Sequence, residues 1–357
     1  MTYTFDSSVA ADATIDAHQR LIATAVSLAL PAGVLAAIVM IGGYGRAEGG
    51  YVVATDGSHQ PYNDYDYFLV FDGVSRARAR DLVHSLPHLD DQVGIEVDFH
   101  PLLKSDLAGL EFSLMNAEMQ AGHRVIWGDL NILDMMPAMP LDQVPLAEFS
   151  RMMSNRGCLL LMNYLAPENA VIGKYINKNY LAIGDAQLAL AGEYSLHYSR
   201  KIQAIAKLDI APQLMTDYRR AVDLRFRPDA HALWQFQDMS RVTEQWLDTF
   251  ARLESSRLGQ QVCADNDCAG ALNWQAYGAA RVGKGQGCNN PVKNLLRHLL
   301  NPRLSVVSSF ALRHPRERIV SELPLLLDQI GRDGQCRFDP AWQARAKSLL
   351  AQWAEYS

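Results

Sequence analysis

Three aspartates carry the chemistry that this sequence can be read for. Asp64 and Asp66 stand two apart at the start of an apolar run, Tyr67-Phe68-Leu69-Val70-Phe71. Side chains at i and i+2 of a strand point to the same face, about 6–7 Å apart. Two carboxylates so placed repel each other unless a cation lies between them. Asp98 sits in a second alternating run, with Ile95, Val97 and Phe99 facing one way and Glu96, Asp98 and His100 the other. If the two strands are neighbours, Asp98 completes a set of three carboxylates, and hard oxygen donors in that number suit Mg²⁺ or Mn²⁺ shared with substrate phosphates. Upstream lies Gly42-Gly43-Tyr44-Gly45-Arg46-Ala47-Glu48. Its first two glycines let backbone N–H groups approach a phosphate, and Arg46 adds a charge suited to bidentate phosphate contact.

The elements that must position these residues can be read outward from them. Residues 9 to 30 show helical spacing at Ile15, Leu21, Ile22, Val26 and Leu30. After Pro31 and Gly33, Val34 to Ile41 is wholly apolar and reads as a buried strand that delivers the glycine loop. Further strands are expected over Tyr65–Phe71, Val93–His100 and Arg124–Trp127, and helices over Val74–Ser85 and Ser105–Ala121. The stretch Met135 to Pro145 holds three prolines and marks a domain boundary. Beyond it the pattern is helical: Leu146–Leu165, Ala170–Ala191, Tyr194–Ala206, Pro228–Leu253, Pro291–Leu300, Pro315–Ile330 and Pro340–Tyr356. The expected architecture is therefore an α/β (α+β) domain with a short mixed sheet over residues 1–140, followed by an all-helical domain over 141–357.

Composition bounds the class. The 357 residues are 49% hydrophobic and 20% charged, with a net charge of −6, ordinary for a globular chain and unlike a strongly basic nucleic-acid-binding surface. The run from Leu21 to Gly43 carries no charge and is long enough to span a bilayer, but Pro31 and Gly33 in its middle favour helix, turn and strand. No basic region precedes it, so a signal peptide is not expected. Five cysteines, thinly spread, do not make a disulfide framework. Reduced thiols, a cytoplasmic location and no membrane association are the expectation.

Taken in order, the glycine loop, Tyr62-Asn63-Asp64-Tyr65-Asp66, and Ile95-Glu96-Val97-Asp98-Phe99-His100 resemble the signature of the DNA polymerase β-like nucleotidyltransferase superfamily. Locally the motif looks most like the bacterial uridylyltransferases that modify the PII nitrogen-signalling protein. The resemblance covers roughly residues 34 to 130. One departure is an insert of about ten residues, roughly Gly50 to Gln60, with Asp56-Gly57 as a hairpin turn.

The resemblance implies a nucleotidyltransferase core and transfer of a nucleoside monophosphate from a nucleoside triphosphate to a hydroxyl, with release of pyrophosphate. Asp64 and Asp66 would hold both divalent ions; Asp98 would bind one of them and help deprotonate the acceptor. Gly42, Gly43 and Arg46 would hold the phosphates. In similar enzymes a helical lysine after the core reaches the triphosphate, a role open to Lys174 or Lys178, which share a helix face at i, i+4. Arg151 and Arg156 are weaker candidates. A small-molecule acceptor fits the acidic balance and single helical companion domain. A protein side chain or a tRNA end is the alternative, and a catalytically silent nucleotide sensor a third.

Two further features have plainer readings. Gly283-Lys284-Gly285-Gln286-Gly287, followed by Asn290-Pro291, Lys293, Arg297 and His298, forms a glycine-rich entry to a helix that suits an anion or simply a loop. Cys263, Cys268, Cys288 and His298 fit no compact zinc spacing.

Overall fold

The structure is a computed structural model, and the residues described here are 1–228, 233–263, 271–279, 292, 294–296 and 314–356. The chain divides into two compact units. The first comprises Met1–Val144 together with Ser195–Arg200 and Val222–Ala232; the second comprises Pro145–Tyr194, Lys201–Ala221 and Leu233–Ser357.

The first unit is a mixed α/β layer structure. Its opening helix α1 (Val9–Ala29) is capped by Ser8, whose hydroxyl accepts from the Ala11 N–H. Asp12 in the first turn accepts from Tyr3 N, Thr4 N and Thr4 Oγ1, which ties the N-terminal segment to the helix. The chain turns at Gly33, with φ at 80°, into β1 (Leu35–Met40). The loop beyond it contains a short helical turn, α2 (Gly42–Gly45). A hairpin follows, β2 (Gly50–Val53) and β3 (His59–Tyr62), paired antiparallel to each other. Its tip bends at Gly57, with φ at 81°, so the insert forms the hairpin that its Asp56-Gly57 pair suggests. Next come β4 (Asp64–Phe71), helix α3 (Arg76–His84), the turn α4 (Asp90–Val93) and β5 (Glu96–Leu103). Helix α5 (Leu114–Ala121) and β6 (Arg124–Gly128) complete the layer.

The four-stranded sheet has the order β5-β4-β1-β6. β4 runs parallel to β5 and antiparallel to β1, and β1 is antiparallel to β6. Alternation decides the faces. Tyr65, Tyr67, Leu69 and Phe71 of β4 join Ile38 and Met40 of β1 and Ile15, Ile22 and Val26 of α1 in one buried cluster, together with Ala79 and Leu82 of α3. The opposite alternates of β4 therefore begin with Asp64 and Asp66. Two polar groups of α1 reach into the core: His18 Nδ1 lies 3.1 Å from the Tyr65 hydroxyl, and Gln19 accepts from the Tyr67 hydroxyl.

Two expected boundaries move. β5 begins at Glu96 rather than Val93, because residues 90–93 coil into a turn closed by Gly94 with φ at 76°. It runs through Pro101, which an edge strand tolerates because one side of its backbone has no partner strand. The helix expected from Ser105 to Ala121 is instead a 3₁₀ stretch, Lys104–Gly109, then helix α5 capped by Ser113.

The second unit is helical among its described residues: α6 (Leu146–Leu165), α7 (Ile172–Leu190), most of α8 (Tyr198–Ile205) and α9 (Pro212–Phe226), α10 (Met239–Leu258), α11 (Trp274–Ala279), α12 (Pro315–Arg332) and α13 (Pro340–Tyr356). α10 replaces the earlier-starting helix expected from Pro228, and α9 was not anticipated. The helix expected at Pro291–Leu300 falls largely outside the described residues. Tyr180, Trp234 and Trp246 are buried here as core. Lys201 is 1% exposed and ion-paired to Asp185 at 2.9 Å, with its ammonium 4.4 Å from the Tyr194 ring centroid. Contrary to the expectation of reduced thiols, Cys263 is disulfide-bonded, while Cys158 and Cys336 are free. No helix among the described residues is long and apolar enough to cross a membrane. The Leu21–Gly43 run is helix, turn and strand.

Candidate functional site

The site begins with strand register. In the parallel β4–β5 pair, Asp64 is opposite Glu96 and Asp66 is opposite Asp98. Residues directly opposite on neighbouring strands project to the same face, about 4.8 Å apart across the ladder. Asp64, Asp66, Glu96 and Asp98 therefore share one face, at the end where β4 enters the sheet. Asp64, Asp66 and Asp98 are half-buried and Glu96 is exposed. Like charges opposite one another repel across a sheet, and a cation lying between them would relieve that repulsion. Glu96 is a fourth carboxylate, visible in the sequence as the residue two before Asp98 but singled out only by the register.

Side-chain positions are less convergent than the backbone. Among the described residues no group of three or more His, Cys, Asp or Glu side chains is arranged to hold a metal ion. The Asp64 Oδ1 accepts from the Asn63 side-chain amide. The donor set nevertheless suits a hard divalent cation, since it is made of carboxylate oxygens alone. Asn63 itself has φ at 91°, an uncommon conformation for a residue other than glycine.

The glycine loop lies against this face. Gly42 has φ at 68°, and a Cβ built there would sit 3.0 Å from Asp66 Oδ2. Gly45 N–H donates to Ile41 O, Arg46 N–H to Gly42 O, and Glu48 N–H to Gly43 O. Among the described residues the N–H groups of Gly42 and Gly43 meet no acceptor. Tyr44 staples the loop to the hairpin: its hydroxyl donates to the carbonyl oxygens of Gly50 or Tyr62 and accepts from Tyr62 N–H. Burial pushes the Tyr44 phenol well above its usual range, so it stays neutral.

Comparison with protein-family models, characterised proteins and solved structures finds no match for this chain.

Arg46 stands elsewhere than the sequence suggested. Its Nε is 3.2 Å from Glu48 Oε2 and its Nη1 is 3.7 Å from Glu118 Oε2, with the side chain 8% exposed. The guanidinium thus holds the loop to α5 rather than facing an open phosphate site. Glu48 extends the tie, accepting from Tyr198 N–H at 2.8 Å.

A different arginine borders the glycines. Arg225 Nη2 would lie 3.1 Å from a Cβ at Gly43, and its guanidinium is 5.2 Å from the Tyr198 ring centroid. Sequence reading missed Arg225 because no local motif surrounds it. Only the return of residues 222–232 to the first unit brings it to the loop.

The remaining candidates are placed as follows. Lys174 and Lys178 share one half-exposed stretch of α7, in the second unit. Arg151 is ion-paired with Glu148, and the Arg156 carbonyl accepts from Asn179. The glycine-rich stretch 283–287, Asn290, Pro291, Lys293, Arg297 and His298 lie outside the described residues, as do Cys268 and Cys288. The disulfide at Cys263 withdraws that sulfur from any zinc-ligating role.

Proposed function

We propose that this protein is a metal-dependent nucleotidyltransferase with a nucleotidyltransferase-type core, transferring a nucleoside monophosphate from a nucleoside triphosphate to a hydroxyl of a small molecule. The observation that carries the reading is the register: Asp66 faces Asp98 across parallel strands, two residues after Asp64, with Gly42 packed on the Asp66 carboxylate. Three carboxylates beside a glycine loop with open N–H groups are what an enzyme of this class uses to hold a metal-chelated triphosphate.

In this reading Asp64, Asp66 and Asp98 would hold Mg²⁺ or Mn²⁺, and Asp98 would also accept the proton of the acceptor hydroxyl. When bound, the ions supply charge neutralisation for attack at the α-phosphate and departure of pyrophosphate. Gly42 and Gly43 offer their N–H groups to phosphate oxygens. Tyr44 and the Arg46–Glu48 pair keep the loop in shape.

The test is incubation with Mg²⁺ and each of four α-labelled nucleoside triphosphates in a metabolite extract, with Asp64→Asn/Asp66→Asn as control. Label transferred only by the unmutated protein is the expected result. A labelled protein or RNA would move the acceptor from small molecule to macromolecule. Metal-dependent nucleotide binding without any transfer would make the protein a sensor, and no binding at all would overturn the reading.

A further inference from the structure

The two loop glycines have unlike neighbours. A Cβ at Gly42 would meet a carboxylate oxygen of Asp66 at 3.0 Å; a Cβ at Gly43 would meet a guanidinium nitrogen of Arg225 at 3.1 Å. One residue of backbone therefore separates the acidic face from a fixed positive charge. We infer that Arg225 is the phosphate-binding arginine of this site and holds oxygens of the nucleotide's polyphosphate beyond the reacting phosphorus. The inference rests on the nucleotidyl-transfer reading for the identity of the ligand.

Three observations support it. First, Arg225 is held at both ends. Its carbonyl oxygen lies 2.5 Å from where a Cβ at Gly50 would stand, so the hairpin base packs directly on its backbone. Its guanidinium lies over the Tyr198 ring, 5.2 Å from the centroid, and Glu48 holds Tyr198 through its backbone N–H. Second, among the described residues Arg46 and Arg227 have carboxylate partners and Arg225 has none. Arg46, 5.8 Å from the same Tyr198 ring, has Glu48 and Glu118, and Arg227 has Asp6 at 3.1 Å. Third, among the described residues its buried Nε meets no hydrogen-bond acceptor. Burying a donor of a charged group without a partner is costly. Such a cost is met where an anion completes the set on binding, and the planar fork of guanidinium matches phosphate oxygens.

Arg225 thus takes the role that sequence reading left open to Lys174 or Lys178 and, nearer the loop, to Arg46. The ligand class is a polyphosphate: the carboxylate side of the loop takes the metal-bearing phosphates and the guanidinium side takes an end that carries uncompensated charge.

The experiment measures tripolyphosphate binding in Mg²⁺ by calorimetry for the unmutated protein, Arg225→Gln, Arg225→Lys and Arg227→Gln. Arg227→Gln removes the same charge two residues away and serves as control. The expected result is a dissociation constant at least about tenfold weaker in Arg225→Gln, intermediate in Arg225→Lys, and within about twofold of the parent in Arg227→Gln. Equal weakening in the Arg225→Gln and Arg227→Gln variants, or no weakening in Arg225→Gln, overturns the inference. Should the Arg225 variants fail to fold, the unmutated protein still decides. Tripolyphosphate is expected to protect Arg225 from phenylglyoxal in peptide mass maps, and equal modification with and without it refutes the site. Arg225-dependent binding without nucleotidyl transfer would leave this site standing and remove the catalytic reading. Transfer by Arg225→Gln at an unchanged nucleotide KM would do the reverse.

Discussion

Replacing Asp98 with asparagine tests whether the carboxylates form a cation site without any assumption about the acceptor. Asp66 and Asp98 are register partners on neighbouring parallel strands and half-buried. At about 5 Å, two unit charges repel by about 0.8 kcal/mol in water and about 3 kcal/mol at an effective dielectric of about 20. Half-exposure puts the value near the lower figure, about 1 kcal/mol. Asp98→Asn should therefore stabilise the protein by about that amount in EDTA, raising Tm by about 1–2 °C. Saturation with Mg²⁺ should invert the order. A ligand bound only by the folded state adds about 2.7 kcal/mol at a hundredfold excess over Kd, and the variant, short of one carboxylate, gains less. Differential scanning calorimetry with and without Mg²⁺ reads both effects. A variant less stable than the parent in EDTA, or equal Mg²⁺ stabilisation of both proteins, would refute the reasoning.

Gly42→Ala places a side chain at φ 68°, a backbone penalty of about 1–2 kcal/mol, and its Cβ meets Asp66 Oδ2 at 3.0 Å. Gly33→Ala, at φ 80° with nothing within 4 Å, should incur a similar backbone penalty by thermal melt, and only Gly42→Ala should also weaken Mg²⁺ binding. Glu48→Gln strips charge from the buried partner of Arg46; a loss of about 2–3 kcal/mol in urea unfolding is expected, below the 3–5 of a fully orphaned buried charge, because Glu118 remains. His18 is held below its ordinary value of 6.5 by burial, so unfolding takes up a proton as the medium turns acidic. Its contribution is complete above about pH 6.5 and is lost progressively below that. His18→Gln should flatten the stability–pH slope in that range, and an unchanged slope would dismiss the residue as its source.

The sequence by itself determined the strands that carry the aspartates and the faces those aspartates occupy. The i, i+2 spacing of Asp64 and Asp66 at the head of an apolar strand and the alternation in Ile95–Phe99 are local properties of the chain, and they put each set of carboxylates on one face of its strand. Positive φ at Gly33 and Gly57 was equally legible, since turn chemistry is local. α9 could have been found as well: Leu214, Tyr218, Ala221 and Val222 are buried at helical spacing.

Only the tertiary structure decided which charges meet. That β4 lies parallel to β5, with Asp66 opposite Asp98 and Glu96 opposite Asp64, depends on a pairing no local pattern encodes. Arg46 and Arg225 make the same point. Arg46 stands inside the glycine motif, yet Glu48 and Glu118 neutralise it, while Arg225, in no motif and more than 170 residues along the chain from the loop, borders Gly43 without a carboxylate partner among the described residues. Side-chain electrostatics is set by distance in space, and distance in space is fixed by packing rather than by position along the chain.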